Sequence, residues 1–548
     1  MLLFIIYFIP FSATSFSIQD NTVEPLQLAF KNLIETNRHS YVKTSNFILY
    51  KNSINDLYLL SSKPLLWLTQ QSLNNKNITD VFKLIATAKN SGLNKEHYNL
   101  TFLHNKWQHL KDQQNSSIND LLMLDTAISI NLLHFLSDLH YGRVNPSTLR
   151  FNFDIQKDLS SFIPLILESI QKKTISTLAE KVEPSFPIYQ QLKKALKTFR
   201  DKQSLPLFND IKYISTIKKG DIYPQIVAIR QRLNYLASSN NMKSHVSCLY
   251  DEPLVNSIKD FQLHHGLETD GIIGKKTIAA LNISLSERIQ QVELALERFR
   301  WLPDIQTGPQ IIVNIPAFQL WAYNSKQARN TKILNMKVIV GKSIRRKSPI
   351  FTAKMYYIEF SPYWNIPKSI TSEEIIPKLQ ENLLYLDQQN MELVTGFHNN
   401  EQAISYTDKS IEQLKDGSLK LRQRPGNKNA LGRVKFIFPN NYNVYLHDTP
   451  SQHLFKKSKR DLSHGCIRVE KPIELADFLL ESKTNWEQSS TVQAMTLNQP
   501  KQVRLNSAVP VIIFYSTALA MNDEVFFYED IYGYDAKLKQ ALINHNSH

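Results

Sequence analysis

The stretch "RDLSHGCIRVE", Arg460 to Glu470, holds Cys466, one of two cysteines in the 548-residue chain. His464 and Gly465 precede it, and Arg468 follows. A thiol with its ordinary pKa of about 8.5 is mostly protonated at neutral pH. A nearby base or cation is needed to expose the thiolate, which is the attacking species. His447 ends the run "NVYLH", which reads as a strand, and Cys466 begins or precedes a second strand, "CIRVE". If the two strands are neighbours, the imidazole can reach the sulfur. Gly465 has no Cβ, so a substrate carbonyl can come close to the backbone, and the N–H groups around Cys466 could hold an oxyanion. In an extended chain His464, Cys466 and Arg468 share one face. Arg468 would then add positive potential or bind a carboxylate. Two other uses of these residues stay open: a disulfide from Cys466 to Cys248, and zinc on His447, His453, His464 and Cys466, whose spacing fits no compact zinc pattern.

The elements that must position these residues change in texture along the chain. Residues 25–218 are rich in Leu, Ile, Lys and Asn with few glycines, and read as a helical domain. Within it, "LLMLDTAISINLLHFLSDL" contains Asp125 and Asp138 and reads as a buried helix rather than a membrane span. His134 and His140 read as packing residues. Residues 219–283 form a compact unit. Ile226, Ile229, Leu233 and Leu236 line one helix face, and Leu254, Ile258 and Phe261 line another. A turn at Asp270-Gly271 then leads to a short third helix. A connecting helix follows in 284–307. From 308 to 537, short β-branched and aromatic runs such as "IIVNIPAFQLWAY" and "RVKFIF" predict a β-rich domain. It is interrupted by an insertion of helical texture at 366–428, read as a lid. Residues 538–548 read as a tail. The fold class is therefore multidomain α+β.

Composition narrows the partners. With 42% apolar and 10% aromatic residues the chain can fill several cores, which excludes a disordered protein. The net charge of +15 favours a polyanionic neighbour. No nucleic-acid motif accompanies it, and the densest run, "KKSKR", is short. The apolar run Leu2–Phe11 suits a secretory signal over residues 1–17 and is too short to span a bilayer.

Taken together, "HDTPSQHLF…DLSHGCIRVEKP" resembles the signature of L,D-transpeptidases of the YkuD type. "LERFRWLP", "SPYWNIPKSI", "NALGRVKFIFPN", "DIYGYD" and "LHYGRVNP" resemble the large YcbB-like subfamily, and "FQLHHGLETDGIIGKKTIAALN" resembles a peptidoglycan-binding type 1 domain. The resemblance implies a periplasmic, envelope-associated enzyme of Gram-negative type that needs no cofactor or metal. Cys466 would be the nucleophile and His447 the general base. His464 and Gly465 would shape the thiolate and oxyanion surroundings, with Arg468 in support. Tyr363, Trp364 and Asn429 would line the substrate groove. The implied partners are a tetrapeptide stem as donor, a diaminopimelate amine as acceptor, other cell-wall enzymes, and carbapenems as inhibitors. The implied product is a 3-3 cross-link. A carboxypeptidase or endopeptidase, a zinc amidase and a non-catalytic wall-binding scaffold are the competing readings.

Overall fold

The structure, a computed structural model, describes residues 23–68, 75–112, 117–153, 155–203, 209–236, 247–303, 307–325, 333–397 and 401–547. The expected signal at 1–17 lies outside them. The chain forms two units. The first comprises residues up to Tyr141 together with Gln156–Glu183; the second comprises Gly142–Ile155 and Pro184–Ser547.

The first unit is helical and is organised around Ile118–Tyr141. By length and composition this helix could cross a membrane, yet most of it is buried within the unit. Its two carboxylates explain why it belongs there. Asp125 is fully buried and accepts from the amides of Leu66, Trp67 and Leu68 (2.9, 2.8 and 2.8 Å) and from the Tyr58 hydroxyl. Asp138 accepts from Tyr98 Oη at 3.1 Å. Buried polar groups satisfied in this way fix a helix within a protein core. His134 packs edge-on against Tyr98, and His140 Nδ1 bonds to the Val182 carbonyl (2.6 Å), the packing roles expected of both.

In the second unit, helices Gln225–Leu236, Glu252–His264 and Lys275–Asn282 form the expected three-helix bundle around Ile226, Ile229, Leu233, Leu254, Ile258 and Phe261. The β-rich region is built on strands β1 Phe151–Asn152, β2 Pro309–Asn314, β3 Gln319–Asn324, β4 Leu334–Gly341 and β5 Ile350–Phe360. Next come β6 Trp364–Asn365, β7 Met391–Val394, β8 Lys420–Gln423, β9 Val434–Ile437, β10 Leu446–His447, β11 Asp461–Ser463 and β12 Ile467–Val469. The last are β13 Lys501–Phe514, β14 Ala518–Met521 and β15 Glu524–Phe527. The main sheet runs β1-β5-β13-β2-β3-β4-β12-β10-β9, with β11 beside β4. Because β9 also pairs with β5, the sheet closes on itself. Its inner face is apolar: Leu446, Ile467, Phe436 and Ile358 are fully buried.

Four expectations about boundaries are corrected. The 25–218 segment contributes to both units: β1 pairs with β5, and helix Pro187–Lys202 contributes Tyr189, Leu192 and Leu196 to the core of the second unit. The connecting helix is no connector, since Leu285–Phe299 buries Val292, Ala295 and Leu296 in that same core. The tail is part of a helix, Tyr534–Ser547, anchored by the fully buried Leu538. Finally, the 366–428 lid is not purely helical. It has its own core of Ile366, Ile375, Leu379, Leu393 and Leu421, and it folds over a small sheet, β6-β8-β7.

The "GRVNP" part of "LHYGRVNP" meets "LERFRWLP" and "DIYGYD" in this unit. Glu297 accepts from the amides of Arg143 and Val144 (2.5 and 3.1 Å) and pairs with Arg300 at 3.1 Å. Arg298 pairs with Asp535 at 2.5 Å. Glu297, Arg298 and Arg300 are buried, so removal of one partner would leave another uncompensated.

Candidate active site

β10 and β12 are parallel neighbours, with Leu446 opposite Ile467 and His447 opposite Arg468. Parallel strands require a crossover, which here is the segment 448–466 carrying a short 3-10 helix, Gln452–Lys456, and β11. Side chains alternate along strands, so Tyr445 and His447 share the outer face with Cys466 and Arg468. The row continues sideways. His447 is opposite Lys435 on β9, and Lys435 is opposite Glu359 on β5. Cross-strand neighbours of this kind lie about 5 Å apart at Cβ.

The sulfur's nearest partners were not anticipated. Cys466 Sγ lies 3.8 Å from the Asn443 carbonyl oxygen, and the backbone and side chain of Tyr445 act on the thiol and lower its pKa. Lys435 Nζ sits 4.3 Å from the centre of the Tyr445 ring, whose edge meets the His447 imidazole. Burial pushes the thiol pKa up, while Tyr445, Lys435 and Arg468 pull it down. Period-two alternation along "NVYLH" puts Tyr445 on the face of His447, a signal the sequence held.

His447 is 4% exposed, and burial, with Arg468 beside it, lowers its pKa to about 3. Its Nδ1 faces the Asp448 carbonyl oxygen at 2.6 Å. A carbonyl only accepts, so Nδ1 carries the proton and Nε2 the lone pair. The imidazole is neutral. Arg468 Nε is buried and, among the described residues, has no acceptor.

The loop before the cysteine is held by a hydroxyl network. Ser348 Oγ donates to the Gly465 carbonyl (2.7 Å) and accepts from the Gly341 amide (2.9 Å). Tyr532 Oη donates to the Gly341 carbonyl (2.5 Å), which gives "DIYGYD" a direct role in the site. A Cβ on Gly341 would lie 2.1 Å from the Arg346 carbonyl oxygen, so the close approach requires glycine. Gly465 is needed for a different reason. Its φ is +123°, and a Cβ there would meet nothing within 4 Å, so conformation rather than space selects it. Its amide donates to Ser463 Oγ (3.1 Å), and the Ile467 amide donates to the Tyr445 carbonyl (3.1 Å). Neither is free for an oxyanion. Among the described residues the Cys466 amide itself has no acceptor, which leaves it as the local donor.

The other expected site residues divide. His464 turns from the sulfur to the lid, with Nε2 2.5 Å from Glu374 Oε1. Arg346 holds Glu373 and Glu374. Tyr363 lies under the Arg422 guanidinium (4.2 Å), and Trp364 packs on the lid core, so both belong to the lid root. Asn429 is corrected as a substrate contact. It is 1% exposed, its Nδ2 donates to the carbonyls of Pro362, Gln423 and Arg424, and its Oδ1 accepts from the Leu431 amide. It ties the lid's return strand to the sheet. Both cysteines are free thiols, so the disulfide is not formed. Among the described residues no ligand-spaced group includes Cys466.

Comparison with known proteins agrees with this geometry. Residues 308–511 match the YkuD family, the L,D-transpeptidase catalytic domain. Residues 223–281 match the "Putative peptidoglycan binding domain", and 52–196 match a "Scaffold domain". A Haemophilus influenzae protein named "Putative L,D-transpeptidase" is 32% identical over 255 residues, covering 46% of this chain and 50% of that protein. The chain therefore matches about half the length of that relative. A solved structure of a fused Zn-dependent amidase/peptidase/peptidoglycan-binding domain-containing protein from Clostridium acetobutylicum matches at 12% identity with a TM-score of 0.15. It covers 55% of this chain and 100% of its own, and at that score it carries no argument. Residues 308–511, which hold Cys466 and His447, are thus similar to the YkuD L,D-transpeptidase catalytic domain, and two further stretches of the chain are similar to a peptidoglycan-binding domain and a scaffold domain.

Proposed function

We propose that this protein is a cysteine-dependent L,D-transpeptidase that forms 3-3 cross-links between peptidoglycan stem peptides. The observation that carries the reading is the polar row on the outer face of the sheet: a thiol beside Tyr445, a neutral His447, and the cations Arg468 and Lys435 on the adjacent strands.

In this reading Cys466 Sγ attacks the carbonyl carbon between diaminopimelate and the terminal D-Ala of a donor tetrapeptide. The thiol proton passes to His447 Nε2, and the Cys466 amide holds the oxyanion. Collapse breaks the peptide C–N bond, the proton goes to the departing D-Ala amine, and a thioester remains. The side-chain amine of a second stem's diaminopimelate then attacks the thioester and restores the thiol. The acceptorless Arg468 nitrogen suits a diaminopimelate carboxylate. The lid limits the access of water to the thioester. A wall substrate lies outside the cytoplasmic membrane, so the reading includes export by residues 1–17 and a periplasmic enzyme. It also includes acylation of Cys466 by a carbapenem.

The test is to mix the mature chain with a disaccharide-tetrapeptide and weigh both protein and products. The reading expects a tripeptidyl adduct on Cys466 and a dimer lacking one D-Ala, both abolished in Cys466→Ala. A tripeptide product without dimer would make the protein a carboxypeptidase. Products that still form in Cys466→Ala would make the reaction independent of this thiol, and no product from the unaltered chain would make the domain a non-catalytic scaffold.

A further inference from the structure

The outer face of the sheet carries an opposed pair of charges that stays open. Glu359 on β5 lies opposite Lys435 on β9, and Lys435 lies opposite His447 on β10. On its other side Glu359 faces the neutral Gln502 of β13. Both charged side chains are half-buried. Opposite charges at such positions, about 5 Å apart at Cβ, ordinarily close into an ion pair. Here they attract each other electrostatically, yet among the described residues neither makes an ion pair or a side-chain hydrogen bond. Lys435 Nζ is drawn instead over the Tyr445 ring, 4.3 Å from its centre. Burial raises the Glu359 pKa, and Lys435 opposes this. An ammonium and a carboxylate thus face each other across one strand spacing, each without a hydrogen-bonding partner.

The pair is coupled to the sulfur. Lys435 acts on the Cys466 thiol, and Tyr445 feels both Cys466 and Glu359. A group of complementary polarity carries a carboxylate toward Lys435 and an ammonium toward Glu359, both on one carbon. That group is the zwitterionic end of an α-amino acid. In a diaminopimelate residue it lies at the far end of the side chain, four carbon–carbon bonds from the α-carbon next to the attacked carbonyl. Extended, those bonds span about 5 Å. One cross-strand step of similar length separates His447 from Lys435. A lysine residue in the same place would bring the ammonium without the carboxylate.

We propose that Lys435 and Glu359 form a specificity subsite for the donor, holding the distal carboxylate and the distal ammonium of the diaminopimelate whose carbonyl Cys466 attacks. The inference rests on the transpeptidase reading above and gives it two substrate-binding residues. Arg468 is left to the carboxylate of the acceptor.

The test follows acylation of Cys466 in the full mature chain by mass spectrometry with three tetrapeptides. One has an unmodified diaminopimelate, one has its distal carboxylate amidated, and one has its distal amine acetylated. Rates at subsaturating peptide are divided by the iodoacetamide rate of the same chain, which removes any change in thiol reactivity. In the unaltered chain each modification should slow acylation roughly tenfold or more. Lys435→Met should abolish the penalty for the amide and keep that for the acetyl group. Glu359→Gln should do the reverse. A side chain that only supported the fold would scale all three peptides alike. Equal rates with the three peptides in the unaltered chain overturn the subsite, as do both penalties persisting in both variants. Failure of the transpeptidase reading looks different: no tetrapeptide acylates Cys466 at all, and the subsite falls with it.

Discussion

At the scale of the residue, the site is a neutral pair under a positive field. Arg468 and Lys435 lower the Cys466 pKa and also lower that of His447, so they favour a thiolate without favouring an imidazolium. This makes the site differ from a preformed thiolate–imidazolium pair, and the difference is measurable. In His447→Gln the thiol pKa, read from the pH dependence of iodoacetamide alkylation, should move little, because a neutral ring contributes no charge, while acylation by substrate should fall by roughly 100-fold or more. A loss of thiolate in that variant comparable to the loss of a neighbouring cation would refute the neutral assignment. Tyr445→Phe acts in the opposite sense. Its hydroxyl lowers the thiol pKa, so its removal raises it further. Below that pKa the thiolate fraction falls about tenfold per unit. Alkylation at pH 7.5 should therefore slow several-fold, with the curve displaced to alkaline pH and the limiting alkaline rate retained.

At the scale of the element, the lid is attached through charge. Its residues Thr371–Ile375 form a π-helical turn, a rare conformation found mostly at functional sites. Glu373 and Glu374 on that turn meet Arg346 and His464, next to the hydroxyl-locked cysteine loop. If the lid keeps water from the thioester, Glu374→Ala should raise the share of hydrolysed tripeptide over dimer, with total D-Ala release less affected. An unchanged ratio would mean that the pairing is structural only. The sequence made the bundle faces legible because Ile226, Ile229 and Leu233 repeat at helical spacing and are all buried. It made the pairing of the His447 and Cys466 strands legible through two short β-rich runs. The lid strands were hidden because "MELV" and "KLRQ" carry Glu392 and Arg422, which look solvent-exposed in sequence but pair across the small sheet at 2.5 Å, each 8% exposed or less. The placement of β1 and helix Pro187–Lys202 in the catalytic unit was hidden for another reason. It depends on long-range contacts such as Phe151 opposite Ile350, which no local periodicity encodes. His464 and Asn429 looked available by position, and only side-chain partners distant in sequence show that they are engaged elsewhere.

At the scale of the whole molecule, buried imidazoles couple the fold to pH. His39 has its pKa lowered to about 4, and His265 and His447 to about 3, in each case mainly by burial. In the unfolded chain each would take up a proton near its ordinary value of about 6.5. Between those limits the unfolded state binds more protons than the native state, so stability rises with pH and is lost as pH falls from about 6.5 toward 3. Asp125 works against this. Burial raises its pKa to about 6, so the folded chain holds a proton there that the unfolded chain releases until its ordinary value of about 4. Three such imidazoles against one such carboxyl give these groups a net uptake of about two protons on unfolding near pH 5. The denaturant midpoint should therefore fall between pH 7 and pH 5, and His265→Gln should make the fall shallower in whichever transition reports the three-helix module. Asp125→Asn should make it steeper, because it removes the opposing group while keeping acceptor geometry for part of the amide cluster. A midpoint that stays level from pH 7 to 5 would mean that these rings are protonated in the native state. His447 would then be an imidazolium, and the neutral-base account of the active site would fail with it.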